Sequence, residues 1–182
     1  MGKLVKFVTS LHQSTKRSYL GRMMNNKIFC MKKARKFEFD YWDGQRKFGY
    51  GGYKYIPGRW EGVARKIIKK YNLKNTSRIL DVGCGKAFIL YEIKKILPDI
   101  KVDGFDVSKH AIKNAMPNIK KFLFNHNAKN RFPYKKNTFD LVISFSAEPI
   151  PDMIKNKSKA WLNLQISKGE REEARDRKIL LG

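Results

Sequence analysis

The residues best placed to do chemistry stand in the stretch DVGCGKAF, positions 81–88. Gly83 and Gly85 allow a tight turn and let a ligand come close to the main chain. The helix expected after them would point unsatisfied N–H groups at that ligand. Asp106 follows at the end of the next apolar run, where a carboxylate can accept hydrogen bonds from both hydroxyls of a ribose. Asp103 is the competing acid, but it falls inside that run. Two nucleotide signatures are excluded. A P-loop needs four residues before Gly-Lys and then Ser or Thr; here Gly-Cys-Gly-Lys is followed by Ala87. The dinucleotide fingerprint needs a third glycine where Phe88 stands. If position 87 requires a positive φ, its alanine costs about 1 kcal/mol.

The elements that must position this loop alternate between two periods. RWEGVARKIIKKYNL places Trp60, Val63, Ala64, Ile67, Ile68 and Tyr71 on one helical face. SRILDVG reads as a strand, AFILYEIKKIL as a helix stopped before Pro98, and IKVDGFDVS as a second strand. KHAIKNAM reads as a helix capped by Ser108 and stopped at Pro117. KKFLFNHN and FDLVISFS complete a third and a fourth strand. This alternation predicts an α/β fold with a Rossmann-like, mostly parallel sheet and helices on both faces.

Three zones follow: a basic, aromatic and Gly-rich cap over 1–58, a core over 59–145, and an atypical charged tail over 146–182. In FEFDYWDGQRKFGYGGYKYIPG eight aromatics are interleaved with five glycines, which reads as a structured loop or short hairpins. Tyr41, Trp42, Tyr50, Tyr53 and Tyr55 could cover a site or stack on a sugar or base, or pack on the sheet edge. Arg46, Lys47 and Arg59 could bind a phosphate or carboxylate. The tail carries 14 charged residues in 37 and offers no convincing strand.

The formal net charge is +24. That favours phosphate-rich partners or an anionic surface, or reflects a background bias toward lysine. Cys30 and Cys84 match neither a zinc spacing nor a disulfide framework, and no metal site is expected. A reducing, cytoplasmic location fits. No apolar run approaches the roughly 20 residues of a membrane span, and the amino-terminal apolar stretch is too short and broken for a signal peptide.

ILDVGCGKAFIL, VDGFDVSKHAIKNA and NTFDLVISF resemble, in order and interval, motif regions of class I S-adenosylmethionine-dependent methyltransferases. The resemblance spans about residues 59–145. It implies S-adenosyl-L-methionine as cofactor, with Asp81, Gly83, Cys84 and Gly85 around the methionine part, Asp106 on the ribose and Val107 against the adenine. Asn127 stands where the family often has an acid, and with Ala128 it would meet the adenine edge. Ser144 and Phe145 end the fourth strand, a usual place for residues facing the transferred methyl group. No catalytic residue is assigned; His110 and His126 are bases by type only, His110 reading more readily as a helix-surface residue.

The resemblance also implies a seven-stranded sheet of order 3-2-1-4-5-7-6. The tail is too short for its last strands, so the sheet is expected to be incomplete, with strand four as an exposed edge. A tail outside the family pattern is the favoured expectation; a compact variant covering the edge with a helix around Trp161 is the alternative. The expected function is methyl transfer to an unidentified acceptor, a small molecule or sugar ahead of nucleic acid, with activity open to loss through truncation. The competing function is a basic nucleic-acid-binding module without catalysis.

Overall fold

The computed structural model describes residues 26–130, 134–145, 158–163 and 180–181. Four parallel strands build the centre: β1 (Arg78–Val82), β2 (Lys101–Asp106), β3 (Leu123–Asn125) and β4 (Phe139–Ser144). β1 and β4 are buried along almost their whole length, as expected of inner strands covered on both faces.

Helices α1 (Lys27–Ala34) and α2 (Phe39–Trp42) precede the core. Helix α3 (Glu61–Lys70) buries Val63, Ala64 and Ile67 and leaves Lys66, Lys69 and Lys70 in solvent. It ends in a Schellman motif: Asn72 is left-handed at φ 48°, and the N–H of Leu73 reaches back to the carbonyl of Ile68 at 3.0 Å. Helix α4 (Phe88–Ile96) buries Phe88, Ile89, Leu90 and Ile93. These two helices and α6 (Pro117–Lys120) share one hydrophobic core with Ile79, Val102, Leu141 and Ile143 of the sheet. Leu80, Val82, Phe105, Phe139 and Val142 form a second, smaller cluster. Between β2 and α6 lies α5 (Lys109–Lys113), capped by Ser108, whose Oγ accepts the N–H of Ala111 at 3.0 Å. Pro117 opens α6 rather than merely ending α5, because its missing N–H costs nothing at a first helical position.

The strand order is β3-β2-β1-β4-β5-β6. This corrects the expectation that the tail holds no strand and leaves β4 as a bare edge. β5 (Ser158–Asn163) runs parallel to β4, Leu141 opposite Ala160 and Ile143 opposite Leu162. Its alignment is reinforced by Lys159, whose Nζ lies 2.8 Å from Asp140 Oδ1 on β4. β6 (Leu180–Leu181) pairs antiparallel with β5. The alternative helix around Trp161 is likewise replaced by this strand. Among the described residues the sheet has six strands, one fewer than the seven implied by the resemblance.

The 37–58 stretch, read as a loop or hairpins, forms the single turn α2 followed by tight turns. No strand pairing occurs in it. Among the described residues, no helix is long and apolar enough to cross a membrane.

Candidate functional site

Chain order reverses beside β1: the chain runs outward through β2 and β3, then returns to β4 on the other side. Ligands of open α/β sheets sit at such a switch point, beyond the carboxyl ends of the strands. The glycine loop emerges there. Gly83 (φ 70°), Gly85 (φ 56°) and Ala87 (φ 56°) are all left-handed. The N–H groups of Gly83 and Cys84 both donate to the Phe105 carbonyl, at 2.9 and 3.0 Å, stitching the loop to β2. Ala87 therefore does occupy a position that strains a side chain, at a cost of roughly 1–2 kcal/mol. Its methyl is fully buried, where a larger group would have to displace the core.

The two acids lie on adjacent strands. Asp106, at the end of β2, is 6% exposed. Its Oδ2 accepts the N–H of Gly85 at 2.8 Å and its Oδ1 the N–H of Ser108 at 2.8 Å. Burial raises its pKa, against the pull of those N–H groups. Asp81 is 1% exposed, and its Oδ1 has no hydrogen-bond partner among the described residues. Burial, with the Asp106 charge adding to it, pushes the Asp81 carboxyl well above the usual range. Asp103, the competing acid, is held within the sheet by Arg78, whose Nη2 lies 2.6 Å from its Oδ2.

The aromatic segment lies directly on this loop. A methyl group built on Gly85 would come within 2.6 Å of Trp42 Cη2. The Trp42 indole N–H is shared between the Phe37 carbonyl at 2.9 Å and Ser108 Oγ at 3.0 Å. Its ring stacks on Tyr50 with centroids 5.3 Å apart and planes 10° apart, and Tyr53 in turn stacks on Phe88 of α4. Three polar anchors tie the segment to the core. Glu38 accepts the N–H groups of Lys109 and His110 in the first turn of α5, at 3.0 and 2.8 Å. The carboxylate of Asp43 receives Lys86 Nζ at 2.7 and 2.8 Å and faces His110 Nε2 at 2.7 Å. The hydroxyl of Tyr55 donates to Glu92, a buried acid of α4.

Lys86, Asp43 and Glu38 were not singled out by sequence reasoning. The signal was available for Lys86: a lysine inside a glycine loop that is not a P-loop needs a counter-charge. Its partner lies 43 residues away, and no spacing rule connects them. The lysine is itself buried, and the Tyr53 carbonyl takes its third hydrogen bond. Partial burial opposes ionisation of Asp43, but Lys86 and His110 outweigh it and hold the carboxyl below its ordinary value. His110 is thus a partner of the buried Asp43–Lys86 pair rather than a simple surface residue.

The remaining candidates divide. Cys84 packs its side chain against the core cluster, 3.2 Å from where a methyl on Gly104 would lie, and burial pushes its thiol well up. Val107 is 46% exposed just past Asp106. Asn127 is exposed, and its Oδ1 accepts the N–H of Lys129. Ala128 packs against the smaller core cluster. Ser144 is buried at the end of β4, and Phe145 meets Trp60 edge-on at 5.5 Å. His126 follows β3, with its N–H on the Asp106 carbonyl. Arg46 is turned onto the Tyr50 carbonyl of its own segment. A cleft of about 400 Å³ lies elsewhere, at the amino ends of β1 and β2. Two of its cations are already engaged, Arg78 with Asp103 and Lys94 with the carbonyls of Pro98 and Ile100.

A parallel sheet of this order, with a glycine loop and a strand-end carboxylate at its switch point, defines a class I, Rossmann-like α/β domain. The methyltransferase-domain family model matches residues 73–168, just over half of the chain, and the chain belongs to that family. The match runs beyond residue 145, so the part of the tail up to 168 lies inside the family pattern rather than outside it. No curated protein sequence matches the chain. Among solved structures, a SAM-dependent methyltransferase from Aquifex aeolicus is 22% identical, with 66% of this chain and 78% of that one covered and a TM-score of 0.49. The YcgJ protein of Bacillus subtilis is 17% identical over 55% of this chain and 48% of its own, with a TM-score of 0.46. The [4+2]-cyclase SpnF is 18% identical over 57% and 43%, with a TM-score of 0.47. This chain therefore spans about half the length of the last two and more of the first.

Proposed function

We propose that this methyltransferase uses S-adenosyl-L-methionine and transfers its methyl group to a small molecule or sugar. The observation that carries this is the buried pair Asp81 and Asp106 at the carboxyl ends of neighbouring strands. One acid has an oxygen without a partner, and the other is bonded to the glycine loop. The cofactor's chemistry fits those groups. An unpartnered buried carboxylate suits the ammonium of a methionine moiety, since a cation there would stabilise the ionised acid. A strand-end carboxylate suits ribose hydroxyls.

When bound, the cofactor supplies a methyl group made electrophilic by its sulfonium. The chain's part is to hold and align. Asp81 would receive the ammonium, and Gly83, Cys84 and Gly85 would offer main chain without bulk, Cys84 through its backbone alone. Asp106 would orient the ribose and Val107 would lie along the adenine, with Asn127 and Ala128 at its edge. Ser144 would stand near the reacting centre. Tyr41, Tyr50 and Tyr53 would exclude water and offer flat surfaces to a ring-shaped acceptor. In this division the cap is 1–58, of which residues 1–25 lie outside the described residues, and the core begins at 59.

Isothermal calorimetry with S-adenosylhomocysteine is the direct test. Binding in the micromolar range supports the assignment; a folded protein that takes up neither this ligand nor S-adenosylmethionine rules it out.

A further inference from the structure

We propose that the segment 38–57 is an autoinhibitory lid, shut in this structure, whose Trp42 must leave Gly85 before an adenosyl ligand can enter. The inference rests on the cofactor reading above and adds a gate to it.

Four observations converge. The space against Gly85 is filled by the Trp42 ring, so the loop's lack of a side chain serves the protein's own tryptophan. The two acids assigned to the ligand are 1% and 6% exposed, shielded from solvent. The polar contacts that hold the segment are largely side-chain anchors, namely Glu38 on α5, Trp42 on Ser108, Asp43 on Lys86 and His110, and Tyr55 on Glu92, with Tyr53 packed on Phe88. The segment is flanked by Phe37 at φ 54° and Gly58 at φ 74°, residues in a conformation typical of turns that can act as pivots.

Asp43 is the latch. It joins the lid to the loop through Lys86 and to α5 through His110. Opening exposes the Lys86 ammonium and the His110 ring to water and uncovers Gly85 in one movement. A ligand that binds only the open form has its apparent affinity reduced by the open fraction. Any change that weakens the latch should therefore tighten binding.

The test uses the full chain labelled with ¹⁵N and S-adenosylhomocysteine as probe. In the free protein the Trp42 indole N–H should be protected from solvent exchange, and saturation with the probe should expose it. Trp42→Ala and Asp43→Asn, each checked for fold by circular dichroism, should bind the probe at least about tenfold more tightly than the parent. If either variant fails to fold, the other decides. Unchanged or weaker binding by a folded variant overturns the lid, as does an indole N–H still protected at saturation. If the parent and the folded variants all refuse the probe, the cofactor reading falls and the lid with it. Binding by the parent without a gain in the variants removes the lid alone.

Discussion

The carboxylate of Asp106 accepts the main-chain N–H of Gly85 at 2.8 Å, so the acid that ends β2 also fixes the loop that leaves β1. Loop shape and ligand recognition therefore depend on one side chain. Asp106→Ala is expected to lose both. Hydrogen bonds to a charged group contribute about 1.5–3 kcal/mol, so S-adenosylhomocysteine binding should weaken by roughly 10- to 100-fold. Stability should fall as well, because two buried N–H donors lose their acceptor. Calorimetry measures the first effect and urea denaturation the second. A variant as tight-binding as the parent would remove Asp106 from the site.

Asp81 carries a pH signature. Its pKa is raised in the folded protein, by burial first and then by Asp106. Keeping the acid folded therefore contributes stability below its unfolded value of 3.8, and that contribution is lost as pH rises through the folded value. An arriving ammonium reverses the balance by favouring the ionised form. Ligand binding should release a proton, and affinity should increase as pH rises through the same window. Calorimetry in two buffers of different ionisation enthalpy reads the proton directly. Asp81→Asn should abolish the release and make the ligand-free protein less sensitive to rising pH in thermal melts.

Gly85 and Trp42 are expected to be energetically coupled through the contact of the ring with the loop. Gly85→Ala puts a methyl at φ 56° and within 2.6 Å of the indole. The left-handed conformation alone costs about 1–2 kcal/mol, and the clash adds to it. In a Trp42→Ala background only the backbone cost should remain. A double-mutant cycle by chemical denaturation should therefore show a coupling of about 1 kcal/mol. Strict additivity would mean that the ring yields freely.

Much of the central sheet was legible because its signals are local. SRILDVG and FDLVISF are short stretches rich in Ile, Leu and Val, as inner parallel strands are, and Ser108 announces α5 as a cap should. β5 was missed because Ser158–Asn163 is half polar, with neither alternation nor a flanking glycine to mark it. Its place is set by non-local facts, namely the open edge of β4 and the pairing of Lys159 with Asp140. The candidate site divides along the same line. Glycines and strand-end acids show in spacing, so Gly83, Gly85 and Asp106 could be named. The partnership of Lys86 with Asp43 crosses from cap to core and leaves no pattern in the chain. The role of Ala87 also needed coordinates, because alanine does not advertise a left-handed backbone as glycine does.

The Asp43–Lys86 pair should respond asymmetrically to removal of either partner. Lys86 is almost wholly buried, while about a fifth of the Asp43 side chain is exposed. Asp43→Asn leaves the buried Lys86 ammonium with carbonyl acceptors, the Tyr53 oxygen among them, but no counter-charge, at a cost of about 2–3 kcal/mol once the partial exposure of the pair is allowed for. Lys86→Met leaves the aspartate with the Tyr53 N–H at 3.2 Å and His110 Nε2 at 2.7 Å, and a flexible apolar chain fills the slot. It should cost about 1 kcal/mol or less. Acid should act like the first substitution. The Asp43 carboxyl ionises below its ordinary value of 3.8, so its contribution is present above that pH and is lost as pH falls through the folded value. Exchange at the Trp42 indole N–H, followed down the pH scale, should therefore accelerate in the parent below about pH 3.8. In Asp43→Asn it should be fast already at neutral pH. Equal protection in parent and variant at neutral pH would show that the aromatic contacts alone hold the segment down.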